Sequence, residues 1–386
     1  MKAFIRLTII ALTTLMIIGC ALGQNTASVS LNNSGKYYQY IQPSFDDYLI
    51  KTKDWLSENR RFITANKNKE LAMNMPFALG DKYNSEKAIL LVHGLGDSPY
   101  SFSDLAVSLC KQGFYVQTLL LPGHGSKPED LMLPTYKDWQ EFVDHYANLL
   151  KQDFDDVWLG GFSTGGNLVT IHAIEHDDIG GLMLFSPGFQ SKTPKLERLA
   201  PLAALLFDGY EAEEENIARY TSAPLKGAIA YSDSAVKVRA LLKQNIVDVP
   251  TLIAISEADS VVDPHAVKDL YLTRFDNVTN QFIWYGESTF NFPSIRSFSM
   301  KVDSLRISTG SHMSLLFAPT NPYYGVEGEH LMCMNSFNEE ANVACENGEE
   351  VWYSAWGYEE DDKIHARLTW NPYYQELEKY MVKLVL

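Results

Sequence analysis

The chain has 386 residues, of which 46% are hydrophobic, 21% are charged and 12% are aromatic. Its formal net charge of −16 argues against a nucleic-acid partner, because phosphates require a basic surface, and against electrostatic docking on anionic lipid. The 7 Trp, 21 Tyr and 19 Phe residues supply enough core-forming surface to exclude a disordered chain. The composition therefore indicates a globular protein of enzyme size and selects no function.

Residues 1–19 are predicted to be a removable signal peptide. Lys2 and Arg6 precede Leu7–Ile18, an apolar run that is shorter than the ~20 residues of a membrane-spanning helix. The sequence Ile17-Ile-Gly-Cys20 resembles the lipobox of bacterial lipoproteins, which implies cleavage before the cysteine and acylation of its thiol. A plain signal peptide with an incidental cysteine and an uncleaved anchor are the alternatives.

Acylated Cys20 would hold the chain in the bacterial cell envelope. In the lipoprotein sorting rule, Ala21 at the next position favours the outer membrane of a Gram-negative cell. Two or more acyl chains anchor a protein stably, whereas one is marginal. Residues 20–35 are predicted to be a flexible tether because Asn, Ser, Ala and Gly dominate them. Removal of residues 1–19, with their two basic residues and no acid, would change the net charge to −18.

From residue 87 onward, apolar strand patterns alternate with amphipathic helix patterns. This alternation predicts βαβ units and a mostly parallel central sheet that is covered by helices on both faces. The predicted strands are Lys87–His93, Gly113–Leu120, Asp156–Leu159, Gly181–Phe185 and Pro250–Ile255. The predicted helices are Ser101–Lys111, Asp138–Lys151, Gly165–Ala173 and, at the end of the chain, Tyr373–Val385.

One long segment, residues 190–246, interrupts the alternation. It contains no clear strand, so we expect a small helical cap inserted over the sheet. The segment contains leucines at helical spacing, namely Leu196, Leu199, Leu202, Leu205 and Leu206. This stripe either packs on the core or offers apolar surface above the site.

The C-terminal third of the sequence is less regular. Phe282–Tyr285 and Leu305–Ile307 both resemble strands, and the sequence does not decide which one is the last strand of the core sheet. Residues 321–363 hold eleven acidic residues against Lys363 alone, which predicts a solvated excursion. We expect a disulfide between Cys333 and Cys345 to close it, since an exported protein folds in an oxidising compartment.

The motif Gly161-Phe-Ser163-Thr164-Gly165 lies between a predicted strand and a predicted helix. A nucleophile at such a turn needs small neighbours so that its hydroxyl can protrude, and the helix N-terminus directs amide groups toward developing negative charge. Ser163 is therefore the predicted nucleophile. The backbone N–H groups of Thr164 and of Leu95, in His93-Gly-Leu-Gly96, are predicted to form the oxyanion hole.

A serine nucleophile needs a general base, which in this architecture follows it in the chain. His312 is the predicted base because it stands in a Gly/Ser turn just after a strand pattern. His265 lies at a helix start, too close to the strand that carries the acid. His330 and His365 lie in or beside the acidic segment, where we do not expect a fixed position.

The base in turn needs a carboxylate that orients it. Asp259 is the predicted acid because it sits in the turn after a strand, whereas Asp263 could cap a helix and Glu257 is a further alternative. We expect His93 to bond the backbone of its own loop. His124 is a further histidine that could act in catalysis, but it precedes the serine in the chain, whereas the base of this architecture follows it.

Four motifs together resemble the α/β-hydrolases, namely His93-Gly-Leu-Gly-Asp-Ser-Pro99, Leu121-Pro-Gly-His-Gly125, Asp138-Trp139 and the Ser163 motif. They look most like bacterial carboxylesterases and monoacylglycerol lipase-like enzymes, the serine aminopeptidase-type domain. The resemblance covers about residues 76–320 and implies an α/β-hydrolase fold with a cap that lines an acyl pocket. It implies that Ser163, Asp259 and His312 are the catalytic triad. Segments 286–303 and 321–363 depart from the family pattern.

The sequence thus predicts a serine hydrolase that cleaves carboxylic esters, with a small-molecule or lipid ester as substrate. No cofactor is implied, and no metal, because no clustered His/Cys/Asp ligand set is visible. Two alternatives remain: an amidase or peptidase of the same fold, and a non-catalytic surface lipoprotein that binds a partner through residues 321–363.

Overall fold

The computed structural model describes residues 38–176, 178–194 and 200–385. The predicted signal peptide, Cys20 and the tether therefore lie outside the described residues. Among the residues described, no helix combines the length and the apolar character needed to cross a bilayer.

The described chain alternates between strands and helices through its first two thirds. The strands are β1 (Ala78–Leu79), β2 (Lys87–Val92), β3 (Phe114–Leu119), β4 (Asp156–Phe162), β5 (Gly181–Phe185), β6 (Gly209–Tyr210), β7 (Ala223–Pro224), β8 (Thr251–Ser256), β9 (Gln281–Tyr285), β10 (Ile295–Phe298), β11 (Val351–Ser354) and β12 (Ile364–Arg367). The helices are α1 (Phe45–Asn59), α2 (Lys67–Asn74), α3 (Ser103–Lys111), α4 (Tyr136–Lys151), α5 (Thr164–Glu175), α6 (Ala200–Ala203), α7 (Leu225–Gln244), α8 (Pro264–Arg274), α9 (Glu339–Glu346) and α10 (Tyr374–Val385).

Eight strands form the central sheet in the order β1-β3-β2-β4-β5-β8-β9-β10. Every neighbouring pair is parallel except β1 with β3. Parallel strands end at the same edge of a sheet, and in open α/β sheets this carboxyl edge is where ligands bind. The loops after β2, β4 and β8, which carry Leu95, Ser163 and Asp259, therefore come to one edge.

Helices cover both faces of the sheet, as predicted. Ala88, Leu90 and Val92 of β2 join a core with α4, α5 and α7, whereas Ile89 and Leu91 join a second core with α3 and α10. Successive strand residues point to opposite faces, so one continuous apolar run supplies both cores.

The cap segment differs from the prediction in two respects. It is not purely helical, because β6 and β7 form a small antiparallel pair before α7. Leu202, Leu205 and Leu206 are 64%, 80% and 78% exposed, so packing on the core is the wrong interpretation for these three residues. Leu196 and Leu199 lie outside the described residues.

The structure resolves the question of the last core strand. Phe282–Tyr285 belongs to β9, which pairs with β8, and the edge strand β10 comes from the segment 286–303, where we predicted none. Leu305–Ile307 is not a strand of this sheet. A 3₁₀ turn, Asp303–Leu305, precedes Arg306, whose φ of 53° breaks the extended backbone.

The acidic segment is less solvated than predicted. Tyr323 and Tyr324 are 6% and 2% exposed and belong to the same core as α10. The predicted disulfide between Cys333 and Cys345 is present, and both cysteines pack with Val351 in a small separate cluster. The segment thus starts in the main core and continues into a small disulfide-linked subdomain.

Candidate active site

Ser163 occupies a sharp turn between β4 and α5. Its φ of 52° and ψ of −114° lie outside the conformations that a serine normally adopts. Two backbone hydrogen bonds hold it there: its N–H donates to the Phe185 carbonyl (3.0 Å), and its carbonyl accepts from the Gly188 N–H (2.9 Å). Strained backbone of this kind persists only where the surroundings determine it, and it is concentrated at functional sites.

The glycines of the motif are required by space. A Cβ atom on Gly165 would lie 1.9 Å from the Val92 carbonyl oxygen, and one on Gly161 would lie 2.4 Å from the backbone of Gly165. The first turn of α5 therefore passes directly against the end of β2. Thr164 is the first residue of this helix, where backbone N–H groups have no partner within the helix.

His312 and Asp259 form a hydrogen-bonded pair. The Nδ1 atom of His312 lies 2.6 Å from Oδ2 of Asp259, which is fully buried. The other oxygen, Oδ1, accepts the backbone N–H groups of Val261 (2.8 Å) and Val262 (3.0 Å). The carboxylate is thus held on one side by its own turn and presents the opposite oxygen to the imidazole.

This imidazole lies beside the nucleophile turn. The ring centroids of His312 and Phe162, the residue before Ser163, are 4.8 Å apart. The loop after β2 closes on the same point, since a Cβ atom on Gly94 would lie 3.0 Å from Phe162 and 3.1 Å from the Cβ atom of Ser163. Base, nucleophile and predicted oxyanion loop are therefore neighbours.

The other candidate acids have different partners. Asp263 caps α8 by accepting the N–H groups of His265 and Ala266. Glu257 accepts the backbone N–H of Ser288 at 3.0 Å, and also its hydroxyl. Neither carboxylate is paired with His312, which leaves Asp259 as the acid that the geometry favours.

The remaining candidate histidines pack against other residues. His265 lies with its ring centroid 5.2 Å from that of Trp284. His330 stacks on Tyr323, and His365 is only 6% exposed. The expectation that the last two lack a fixed position is wrong, because His330 packs on an aromatic ring and His365 is buried.

Two buried histidines bracket Leu95, the predicted oxyanion donor. His93 Nδ1 lies 2.7 Å from the Gly94 carbonyl, and its Nε2 accepts the Leu121 N–H (3.0 Å). His124 Nε2 accepts the Gly96 N–H (3.0 Å). Burial lowers the pKa of His124 to about 4, and it lowers the pKa of His93 well below its usual value. Both rings are therefore neutral at pH 7 and can accept these hydrogen bonds.

Asp97 and Arg219 also belong to this region, although neither was predicted from the sequence. Asp97 follows the oxyanion loop and is only 7% exposed; burial raises its pKa, and the positive charge of Arg219 partly offsets this. Arg219 lies 3.7 Å from Asp97 and donates to the sulfur of Met313, the neighbour of His312. The signal for Asp97 was its position in the motif, but Arg219 is 122 residues away in the chain and carries no local pattern.

The sequence showed no clustered ligand set, but the fold brings together three side chains of the types that bind metals. Donor atoms of Asp144, His172 and His176 lie within 4.8 Å of one another, on helices α4 and α5. Asp144 is 28 residues from His172 in the chain, so the sequence could have suggested only the two histidines, which are four residues apart.

Comparisons with known proteins agree with the architecture. A family model described as serine aminopeptidase, S33, matches residues 83–285, which are 203 of the 386 residues. The thermostable monoacylglycerol lipase of Bacillus sp. (strain H-257) is 36% identical over 100 residues, 26% of this chain and 40% of the lipase. The carboxylesterase of Bacillus subtilis (strain 168) is 24% identical over 213 residues, 53% of this chain and 84% of the esterase.

Two solved structures are also similar to this chain. A structure from work on LipS and LipT, two metagenome-derived lipolytic enzymes, has a TM-score of 0.49 and 22% identity, covering 54% of this chain and 86% of its own. The monoacylglycerol lipase of Paleococcus ferrophilus has a TM-score of 0.46 and 18% identity, covering 62% of this chain and 90% of its own.

Proposed function

Because this chain belongs to the serine aminopeptidase S33 family and has the α/β-hydrolase fold, we propose that it hydrolyses carboxylic esters through an acyl-enzyme. The observation that carries the proposal is the buried Asp259–His312 pair beside the strained turn of Ser163. A serine hydroxyl becomes nucleophilic only when a base takes its proton, and a carboxylate must orient that base.

The proposed reaction proceeds in two halves. Asp259 accepts a hydrogen bond from the Nδ1–H group of His312, which leaves Nε2 unprotonated and free to take the proton of Ser163 as its oxygen attacks the ester carbonyl. The backbone N–H groups of Leu95 and Thr164 stabilise the oxyanion. The protonated imidazole then gives its proton to the departing alcohol. Water, activated by the same histidine, attacks the acyl-enzyme and releases the acid and the free serine.

We extend the proposal to esters with an apolar acyl chain. The cap exposes a run of large apolar side chains, Leu202, Leu205, Leu206 and Phe207, of which the leucines are 64–80% exposed. Exposed apolar patches on soluble proteins mark sites that contact lipids, ligands or partners. The similar proteins include a monoacylglycerol lipase and a carboxylesterase, which act on esters by their names.

Labelling with a fluorophosphonate probe tests the nucleophile. The wild type is expected to bind the probe covalently, whereas Ser163→Ala is expected to lose both labelling and esterase activity, the latter by about 10⁵-fold or more. Ser186→Ala is the matched control, because Ser186 is also buried at the end of a strand with positive φ (41°). An unlabelled wild type, or labelling that survives in Ser163→Ala, would overturn the assignment.

A substrate series separates the ester hydrolase from an amidase or peptidase. We expect p-nitrophenyl esters to be cleaved faster than aminoacyl anilides, with kcat/KM rising as the acyl chain lengthens from acetate. A preference for anilides would favour the peptidase instead. An ester rate that is independent of chain length would remove the acyl-lipid part of the proposal and leave the esterase part.

We also propose that Cys20 is acylated and anchors the chain in the bacterial cell envelope, in the outer membrane of a Gram-negative cell. The lipobox-like sequence supports this proposal. Cells fed radioactive palmitate should label the wild type and not Cys20→Ala, and the variant should move from the membrane fraction to the soluble fraction. An unlabelled wild type would contradict the anchor.

A further inference from the structure

A cluster of metal-ligating side chains lies at the end of α5 that is remote from the nucleophile. His172 is in the last turn of this helix, and His176 is the residue that ends it. Asp144 comes from the neighbouring helix α4. One donor atom from each of the three residues lies within 4.8 Å of those of the other two. The cluster therefore joins two helices and takes no part in the proposed catalysis.

The local geometry brings the donors to one side of α5. Residues four apart lie on the same side of a helix, and the ring centroids of His172 and His176 are 4.4 Å apart. Oδ1 of Asp144 lies 2.7 Å from Nδ1 of His172. His172 is fully buried, but the Asp144 side chain is 27% exposed and lines an open surface groove with Gln140 and Ile171. An ion can reach the cluster from this groove.

One cation of the protein already touches the cluster. The Lys151 ammonium lies 3.3 Å from Nε2 of His172 and is also ion-paired with Asp178, whose side chain is 70% exposed. A metal ion at His172 would compete with this ammonium. Lys151 would keep its ion pair with Asp178, so the ammonium would still have a counter-ion after the metal displaced it from His172.

We propose that Asp144, His172 and His176 bind a transition-metal ion, Zn²⁺ in the first instance. Two imidazoles and one carboxylate form a ligand set that suits zinc, whereas Ca²⁺ and Mg²⁺ prefer oxygen donors alone. Water completes the tetrahedral shell. The twelve residues of α5 place the ion about 18 Å along the helix from Ser163. The ion therefore ties α4 to α5 and stabilises the fold without entering the reaction.

Calorimetric titration of the purified full chain, free of any polyhistidine tag, with ZnCl₂ tests the site. We expect one Zn²⁺ per chain and a higher melting temperature with Zn²⁺, because a ligand that binds only the folded state stabilises it. His176→Ala and Asp144→Ala should each weaken binding by about 100-fold or more. His145→Ala is the matched control, since its ring bonds the Gln42 carbonyl instead. It should bind Zn²⁺ as the wild type does.

Two further measurements make the result specific. Lys151→Ala removes the competing ammonium and should tighten Zn²⁺ binding, which a merely structural histidine pair would not produce. Co²⁺ in place of Zn²⁺ should give the visible absorption of tetrahedral cobalt in the wild type and not in His176→Ala. Absence of stoichiometric binding in both the wild type and Lys151→Ala, or wild-type affinity in both His176→Ala and Asp144→Ala, would overturn the proposal. Neither result bears on Ser163, whose test is separate.

Discussion

Asp259 uses its two carboxylate oxygens for different purposes. Oδ1 is held by the backbone of its own turn, and Oδ2 meets Nδ1 of His312. Asparagine has nearly the same shape but presents an NH₂ group where Oδ2 stands, which disfavours the Nδ1–H tautomer of the imidazole. We expect Asp259→Asn to lower kcat for a p-nitrophenyl ester by about 10⁴-fold with little change in KM.

Asp263→Asn is the control for this substitution. Asparagine is as good a helix cap as aspartate, so α8 should keep its start and the esterase activity should stay near the wild-type value. Activity lost in Asp263→Asn but retained in Asp259→Asn would transfer the role of the acid to Asp263.

In our proposal, His124 holds the oxyanion loop in position and does not contact the substrate. Its Nε2 atom holds the Gly96 N–H, next to Leu95, and its ring stacks on Tyr220 with centroids 6.3 Å apart. His124→Phe retains a ring of similar size but loses the acceptor. Loss of a whole oxyanion donor costs about 10²–10³ in kcat, so a displaced donor should cost about tenfold.

The kinetic signature separates this role from a loss of fold. A displaced Leu95 N–H weakens the transition state more than the bound ester, so kcat should fall while KM and the melting temperature change little. Equal activity in His124→Phe and wild type would show that the Gly96 hydrogen bond does not position the loop.

At the scale of elements, the base of the cap is clamped to the oxyanion loop and to α2. The Tyr220 N–H donates to the Gly96 carbonyl (2.7 Å), and the Ile217 carbonyl accepts from Arg60 (2.9 Å) and from Asn74 of α2 (2.7 Å). Arg60 is itself paired with Glu70 at 2.9 Å, and the two side chains are 5% and 0% exposed. The clamp therefore contains a buried ion pair.

Breaking this ion pair should destabilise the protein strongly. Arg60→Ala leaves the Glu70 carboxylate buried without its counter-ion, which typically costs about 3–5 kcal/mol of the free energy of unfolding. Lys82→Ala removes the exposed pair with Asp153 and should cost less than about 1 kcal/mol. Urea unfolding of both variants measures the difference. Equal losses of unfolding free energy in the two variants would mean that the buried Arg60–Glu70 pair stabilises the fold no more than the exposed pair does.

The sequence identified the repeating elements better than the irregular ones. Long periodic segments such as α4 and the buried run of β2 carry their signal locally, and the predicted fold and family are confirmed. The short edge strand β10 is defined by its pairing with β9, which no local pattern records. The triad residues could be named from the motif and the chain order, and they stay a prediction until Ser163 is tested. Arg219 could not be named from the sequence, because it reaches Asp97 and Met313 only through contacts across the fold.

For the whole molecule, buried neutral histidines predict a loss of stability in acid. Burial lowers the pKa of His124 and of His330 to about 4, and that of His93 well below its usual value. Unfolded histidines bind a proton near pH 6.5. Between about pH 6.5 and 4 the unfolded state therefore binds more protons than the folded state, and the free energy of unfolding falls as the pH falls.

Urea unfolding from about pH 7 down to about pH 4.5 measures this loss. Asp97 and Asp104, whose pKa values are raised by burial, oppose this loss, because the folded state protonates these carboxylates at a higher pH than the unfolded state does. His330→Phe keeps an aromatic ring on Tyr323 and should show a shallower decline. Stability that stays level or rises over this interval would contradict the prediction.

The contact between the cap base and the start of the acidic segment has a consequence for the order of folding. Asn216 accepts a hydrogen bond from the Tyr324 hydroxyl (2.9 Å), and the Ile217 N–H donates to the Tyr323 hydroxyl (3.1 Å). These partners are more than 100 residues apart, and such distant pairings form late because closing long loops costs entropy. As the chain emerges from the ribosome, the base of the cap cannot settle until Tyr324 has followed. The base of the cap therefore reaches its final contacts only after residue 324 has been synthesised.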